Sequence, residues 1–187
     1  YRDTLRGWRA LKLAWDEARG RLYVADAHAH RISIFDGAGR HLGDFGRRGE
    51  GDGEFNFPTD VKVTPTGELL VCDALNARIQ RLDPDGRFLG RFGRMGDARG
   101  DFGRPKGVAV DRAGHVYVVD GLNDVVQIFD GRGRLLLVLG GTGNAPGRFN
   151  LPAGIAIDAA DRIYVADGAN ARVQVFQYLG EDHGERR

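Results

Sequence analysis

The chain is poor in cysteine, in lysine and in long apolar runs, and each scarcity excludes something. Cys72 is the single cysteine among 187 residues, so no intramolecular disulfide framework holds the fold and cysteine usage does not decide a compartment. The longest apolar run, Leu135 to Leu139, falls far short of the roughly 18 residues a membrane-crossing helix needs. The opening YRDTLRGWRA lacks the apolar stretch of a secretion signal. Lysine stands only at positions 12, 62 and 106, which leaves arginine to supply nearly all the positive charge. There is no G-x-S-x-G elbow, no GxxxxGK[ST] phosphate loop and no consistent Cys–His pairing. RRGEGDGEFN is glycine-rich but lies between strands, so no helix N-terminus stands behind it to receive a phosphate.

What is present is a globular composition, 42% apolar and 28% charged, written four times over. Asp26, Asp73, Asp120 and Asp167 are each 47 residues apart, as are Phe35, Leu82, Phe129 and Phe176, and Pro58, Pro105 and Pro152 keep the same step. The column Trp8, Phe55, Phe102 and Phe149 carries the period back to the start, so one domain of four units occupies residues 1–187, approximately 9–55, 56–102, 103–149 and 150–187. One indel is visible, an extra residue between the two aspartates of LAWDEARGRLYVAD.

Inside each unit the texture is β. VAVDRAGHVYVVD alternates, turns at Asp111 to Gly114 and alternates again, giving strands A and B of a hairpin. VVQIF, DGRG and RLLLVLG follow as strand C, an Asp-Gly turn of the kind two-residue hairpins favour, and strand D. A glycine-rich connection leads to the next unit. Four short antiparallel strands per unit predict an all-β fold, a propeller of stacked blades.

The order Phe, Pro, G-[VI]-A-[VI]-D, [IV]-Y-V-x-D, x-x-Asn-x-Arg-[IV]-x-x-[FL], clearest in FNLPAGIAIDAADRIYVADGANARVQVF at 149–176, resembles the NHL repeat. The resemblance covers all four units and implies a β-propeller. NHL propellers are typically six-bladed, so the resemblance implies for four units an open arc of a larger propeller, a closed four-bladed ring or closure by a second chain being the alternatives, and YLGEDHGERR makes a poor strand D for the last unit. The family includes RNA-binding regions, a metal-dependent amidating lyase and many bacterial binding or scaffolding modules, so the resemblance bears on fold more than on function.

Topology locates the candidate site. In an antiparallel meander the B–C and D–A loops emerge on one face and the A–B and C–D turns on the other. The first face carries long loops such as GRRGEGDGEFNFP and GRMGDARGDFGRP, and rigid scaffolds place recognition in such loops. The candidate binding residues are Arg31, Arg78 and Arg172, five residues after their aspartates, with Arg47, Arg48, Arg94 and Arg99 in the D–A loops. Asp26, Asp73, Asp120 and Asp167, with Asn76, Asn123 and Asn170, read as structural, each blade needing one loop-holding carboxylate and one turn residue tolerant of left-handed geometry. The repeated aspartates are also the obvious partners for the arginine row.

Blade one departs from the pattern at DAHAHR. His28 and His30, with Asp26, form a weak candidate metal set, and the histidines contributed by separate blades that the lyase resemblance would require are absent. No catalytic set is expected, and no cofactor, a divalent metal being the alternative. Arg47, Arg48, Arg94 and Arg99 interleave with Glu50, Asp52, Glu54, Asp97 and Asp101, which favours a protein partner or larger assembly over RNA. The expectation is a non-catalytic binding or scaffolding propeller, with a metal-dependent lyase or hydrolase and an RNA-binding module as alternatives. A bacterial periplasmic or extracellular setting is the working expectation ahead of the cytoplasm.

Overall fold

The computed structural model describes residues 10–177, so Trp8 and the segment 178–187 lie outside the described residues. Apart from a single 3-10 turn at Ala74–Asn76, every regular element is a β-strand. Blade one comprises β1 (Ala10–Asp16), β2 (Arg21–Asp26), β3 (Arg31–Asp36) and β4 (His41–Phe45). Blade two comprises β5 (Pro58–Val63), β6 (Leu69–Asp73), β7 (Arg78–Leu82) and β8 (Phe88–Phe92). Blade three comprises β9 (Pro105–Val110), β10 (Val116–Asp120), β11 (Val125–Phe129) and β12 (Leu135–Gly140), and blade four β13 (Pro152–Ile157), β14 (Arg162–Asp167) and β15 (Arg172–Gln177). Each is an antiparallel meander in chain order, four-stranded in the first three blades and three-stranded, among the described residues, in the last. The segment YLGEDHGERR, expected to make a poor fourth strand, lies outside the described residues.

The innermost strands stand side by side, β1 against β5, β5 against β9 and β9 against β13. Three apolar layers fill the joints, each around one phenylalanine of the period-47 column: Phe55, Phe102 and Phe149, all wholly buried. A blade inside the stack is covered on both faces, which is why β6 and β10 are buried along their whole length instead of on alternate residues. The two end faces differ. Leu13 and Trp15 of blade one are 63% and 45% exposed, and Val173 and Val175 of blade four are 62% and 54% exposed. Val126 and Ile128, the copies of those two valines in blade three, are buried against blade four. The four blades therefore form an arc whose two end faces no described strand covers.

The C-to-D corners correct one expectation. In DGAG and DGRG the glycine directly after the aspartate keeps ordinary geometry, and the later one, Gly39 or Gly133, takes the positive φ of 80° or 81°. Gly39 N–H donates to Asp36 O, and Asp36 N–H to Arg40 O, so three residues, not two, close the corner, with a register shift just beyond in β3 and β4. Asp36 explains the choice, because its carboxylate accepts from Ala38 N and Arg40 N, both at 2.9 Å.

Candidate functional site

On the loop face the repeated aspartate builds a brace. Asp73, wholly buried at the end of β6, accepts from Asn56 N at 2.6 Å, Asn76 Nδ2 at 2.8 Å and Arg78 Nε at 2.7 Å. Arg78 spends its other donors on loop carbonyls, those of Glu50, Gly51 and Glu54, at 2.7 to 2.9 Å. Gln80 reinforces the same loop through Glu54 O and Gly53 N. Asn76, Arg78 and Gln80 thus tie the D–A loop to the strand B and C ends, beside the loop's own backbone bonds such as Phe55 N to Arg47 O.

Blade four repeats the arrangement. Arg172 binds Asp167 at 2.8 Å and the carbonyls of Asn144, Ala145 and Arg148, while Asn170 bridges Asp167 and Gly143 O. Burial pulls the Asp167 carboxyl upward, but hydrogen bonds from Asn150, Asn170, Arg172 and Gln174 outweigh it and hold the group below its ordinary range. In blade three Val125 replaces the arginine, and Asp120 instead accepts from Gly103 N, Arg104 N and Asn123 Nδ2. In blade one Arg31 leans toward Asp44 at 2.9 Å, farther from Asp26 at 3.5 Å.

The D–A loop arginines divide. Arg47 pairs with Glu54 at 2.7 Å and Arg94 with Asp101 at 2.9 Å, each inside its own loop. Arg48 and Arg99 are exposed and form no ion pair among the described residues.

The two histidines of DAHAHR both engage the next blade. His30 has φ +55°, the left-handed position that Ala77, Asp124 and Ala171 occupy in the other blades. Its Nδ1 accepts the Phe57 N–H at 3.1 Å, and Asp124 does the same for Leu151 N at 2.8 Å. His28 packs against the Phe57 ring in an edge arrangement, centroids 5.4 Å apart. Among the described residues no group of three His, Cys, Asp or Glu gathers for a metal, and Asp26, His28 and His30 form no such set. Cys72 is wholly buried, and burial pushes its thiol well above the ordinary value.

One part of the loop face went unnoticed in the sequence reading. At the inner rim, near the axis, a cavity of about 440 Å³ is lined by Lys12, Phe57, Thr59, Ala74, Leu75, Arg104 and Lys106. Its size lies within the range of small-molecule sites. Comparable cavities open on the turn face, about 550 Å³ beside Trp15 and Arg19 and about 560 Å³ beside His115 and Tyr117. The basic groups there already have carboxylate partners: Arg19 has Asp16 at 3.0 Å, and His115 has Asp111 at 2.8 Å. By contrast Lys12, Arg104 and Lys106 form no ion pair among the described residues. Two carboxylates nearby are spent on backbone groups: buried Asp60 accepts from Val61 N and Val108 N at 2.9 and 3.0 Å, and Asp120 accepts from Arg104 N at 2.9 Å. Burial raises the Asp60 carboxyl above the ordinary value, against the Val108 N–H and the charge of Lys12.

The sequence matches the NHL repeat family over residues 55–82 and 149–176, the second and fourth units. No curated protein matches the chain. Among solved structures it is similar to a protein of unknown function from Bacteroides caccae, 16% identical with a TM-score of 0.66, over 96% of this chain and 60% of that one. It is similar to virginiamycin B lyase from Staphylococcus aureus, 10% identical with a TM-score of 0.65, over 96% and 59%. It also resembles an auxiliary nutrient binding protein from Bacteroides thetaiotaomicron, 17% identical with a TM-score of 0.67, over 88% and 46%. The chain therefore spans at most 60% of these structures, and at such identities the likeness concerns the fold alone.

Proposed function

Since this chain is a β-propeller built on NHL repeats, we propose that it is a non-catalytic binding or scaffolding module that recognises a protein or other macromolecule through its B–C and D–A loop face. The observation that carries this reading is that the loops are long yet held rigid, by Asp73, Arg78 and Gln80 in blade two and by Asp167, Arg172 and Gln174 in blade four. A loop pinned by buried charge-assisted bonds presents its outer side chains in one geometry, which lowers the ordering cost of binding. Arg48 and Arg99 stand free among loop carboxylates such as Glu50 and Asp97, a mixed-sign rim that favours a protein surface over a phosphate backbone.

The test contrasts the two faces. Arg48→Glu with Arg99→Glu alters the loop face, and Arg87→Glu with Arg132→Glu, in the C–D turns, alters the other by the same charge. Partners are captured from cells of the source and quantified by mass spectrometry, with RNA retention measured in parallel at two salt concentrations. The reading expects one set of proteins to be lost only in the loop-face variant. Loss confined to the turn-face variant would overturn it, as would retention of RNA alone with a steep salt dependence.

A further inference from the structure

The inner rim of the loop face carries a sharper message than the rim arginines do. Lys12, with the one-residue indel of blade one allowed for, occupies the same position of the innermost strand as Asp60, Gly107 and Gly154. The pairings across to strand B show this, since these four residues lie opposite Ala25, Cys72, Val119 and Ala166. Lys106 takes the place of Thr59 and Ala153 in neighbouring blades, and Arg104 that of Phe57 and Leu151. Lys12 and Lys106 are therefore departures from their columns, and Arg104 shares its column with Phe57, Leu151 and, at the step of 48 that places Lys12, Arg9. A residue that every blade needs recurs with the period, as the brace aspartate does. None of these three positions keeps a cation in every blade, so the architecture does not call for one there.

Their surroundings are built for a ligand with two characters. Lys106 lays its stem over Gly121, whose missing side chain gives it passage, with the Lys106 Cγ 3.1 Å from where a Cβ would sit. Gly154 faces Lys12, whose Nζ lies 3.9 Å from where a Cβ would sit. Arg104 extends from an exposed loop position, and its backbone is fixed by the Asp120 and Gly121 hydrogen bonds. The carboxylates beside these three positive groups, Asp60 and Asp120, have their oxygens turned to backbone N–H groups. Lys62 lies further along β5 and also acts on Asp60. Phe57 and Leu75 supply apolar surface, the latter 43% exposed.

We propose that this cavity binds an organic anion, a carboxylate or phosphate monoester on an apolar or aromatic body. Lys12, Lys106 and Arg104 contact the anionic head, and Phe57 and Leu75 the body. The proposal rests on the loop-face reading above and narrows it from a face to a ligand chemistry. Arg104 offers a planar fork to a two-oxygen anion, and the two ammonium groups add charge without demanding one geometry.

The test is titration of the full chain with phenyl phosphate, benzoate, inorganic phosphate and benzyl alcohol, followed by amide chemical shifts and calorimetry. Phenyl phosphate or benzoate is expected to shift the amides of Thr59, Leu75 and Lys106, and whichever binds tighter identifies the head group. Lys12→Gln with Lys106→Gln should weaken binding by about tenfold or more at unchanged thermal stability, since charge-assisted contacts to the anionic head are lost. Arg104→Gln serves as the independent variant, with the same expectation. Binding as tight for inorganic phosphate or benzyl alcohol, no binding of either aromatic anion, or affinity unchanged in these variants overturns the proposal. The loop-face reading survives each of those results if the Arg48 and Arg99 substitutions still release partners.

Discussion

Arg78 and Arg104 rise from the same face of adjoining blades, yet one is consumed by the fold and the other is not. Arg78 is 5% exposed, with an aspartate at 2.7 Å and three loop carbonyls around it. Arg104 is exposed and forms no ion pair among the described residues. The difference lies in what faces them, not in the residue type. A carboxylate that recurs every 47 residues meets the Arg78 side chain, whereas the Arg104 side chain stands where neighbouring blades carry Phe57 and Leu151 and meets no carboxylate. For these two arginines, the one matched by a periodic partner is tied into the architecture and the other is free for a ligand.

The largest effect expected from breaking this contrast is at the brace. Asp73→Ala leaves the Arg78 guanidinium buried without its counter-charge, which costs about 3–5 kcal/mol. Asp167→Ala should cost less, because the Arg172 side chain is 29% exposed and water can solvate it. Guanidine unfolding of the two variants checks the order. Equal losses, or a loss at Asp73 under about 1 kcal/mol, would mean that the brace is incidental to folding. On the other side of the contrast, Lys106→Gln should leave the unfolding midpoint in place.

A smaller effect separates two ways of filling one position. His30 joins blade one to blade two through the Phe57 N–H, and Asp124 joins blade three to blade four in the same manner. His30→Ala should cost about 1 kcal/mol, the net worth of one hydrogen bond, since alanine already stands at that left-handed position in Ala77 and Ala171. His30→Asp should recover most of it. Destabilisation by both substitutions alike would show that the imidazole acts through packing, for which His28 against Phe57 is the reference.

The blades, their order and their strand boundaries were legible in the sequence because a period of 47 repeats each unit's hydrophobic pattern, and pattern dictates strands. The partners of Arg78 were less so. Its aspartate is five residues away and visible, but its three carbonyl partners belong to a loop 24 to 28 residues earlier, which only the folded blade brings near. The contacts of His28 and His30 with Phe57 were not legible, because His-x-His spacing says nothing about which neighbour the rings meet. Lys12 was hidden by the indel, since a step of 47 from Asp60 lands on Leu13 and the column is recovered only with a step of 48. The scarcity of lysine was the available signal: two of the three lysines in the chain line the inner rim.

The smallest effects expected are titrations in two blades, at Asp158 in blade four and Asp60 in blade two, and their signs oppose. Asp158, in the A-to-B turn of blade four, accepts from Arg162 N at 3.0 Å, from Arg162 Nε at 2.7 Å and from Ala160 N at 2.9 Å. These bonds draw its carboxyl down to about 2. A carboxyl lowered by folding stabilises the fold above its unfolded value and loses that contribution as pH falls through the folded one. Asp158→Asn should therefore flatten the decline in melting temperature between about pH 4 and pH 2. Asp60 has the reverse sign: its carboxyl is raised by burial, so the contribution is complete in acid and is lost as pH rises through the raised value. Asp60→Asn should remove a loss of melting temperature on the alkaline side of about pH 4 and leave the acid limb as it was. If Asp60→Asn instead flattened the acid limb, Lys12 would be holding Asp60 as an ordinary ion-pair partner. The inner rim would then be as consumed by the fold as Arg78 is.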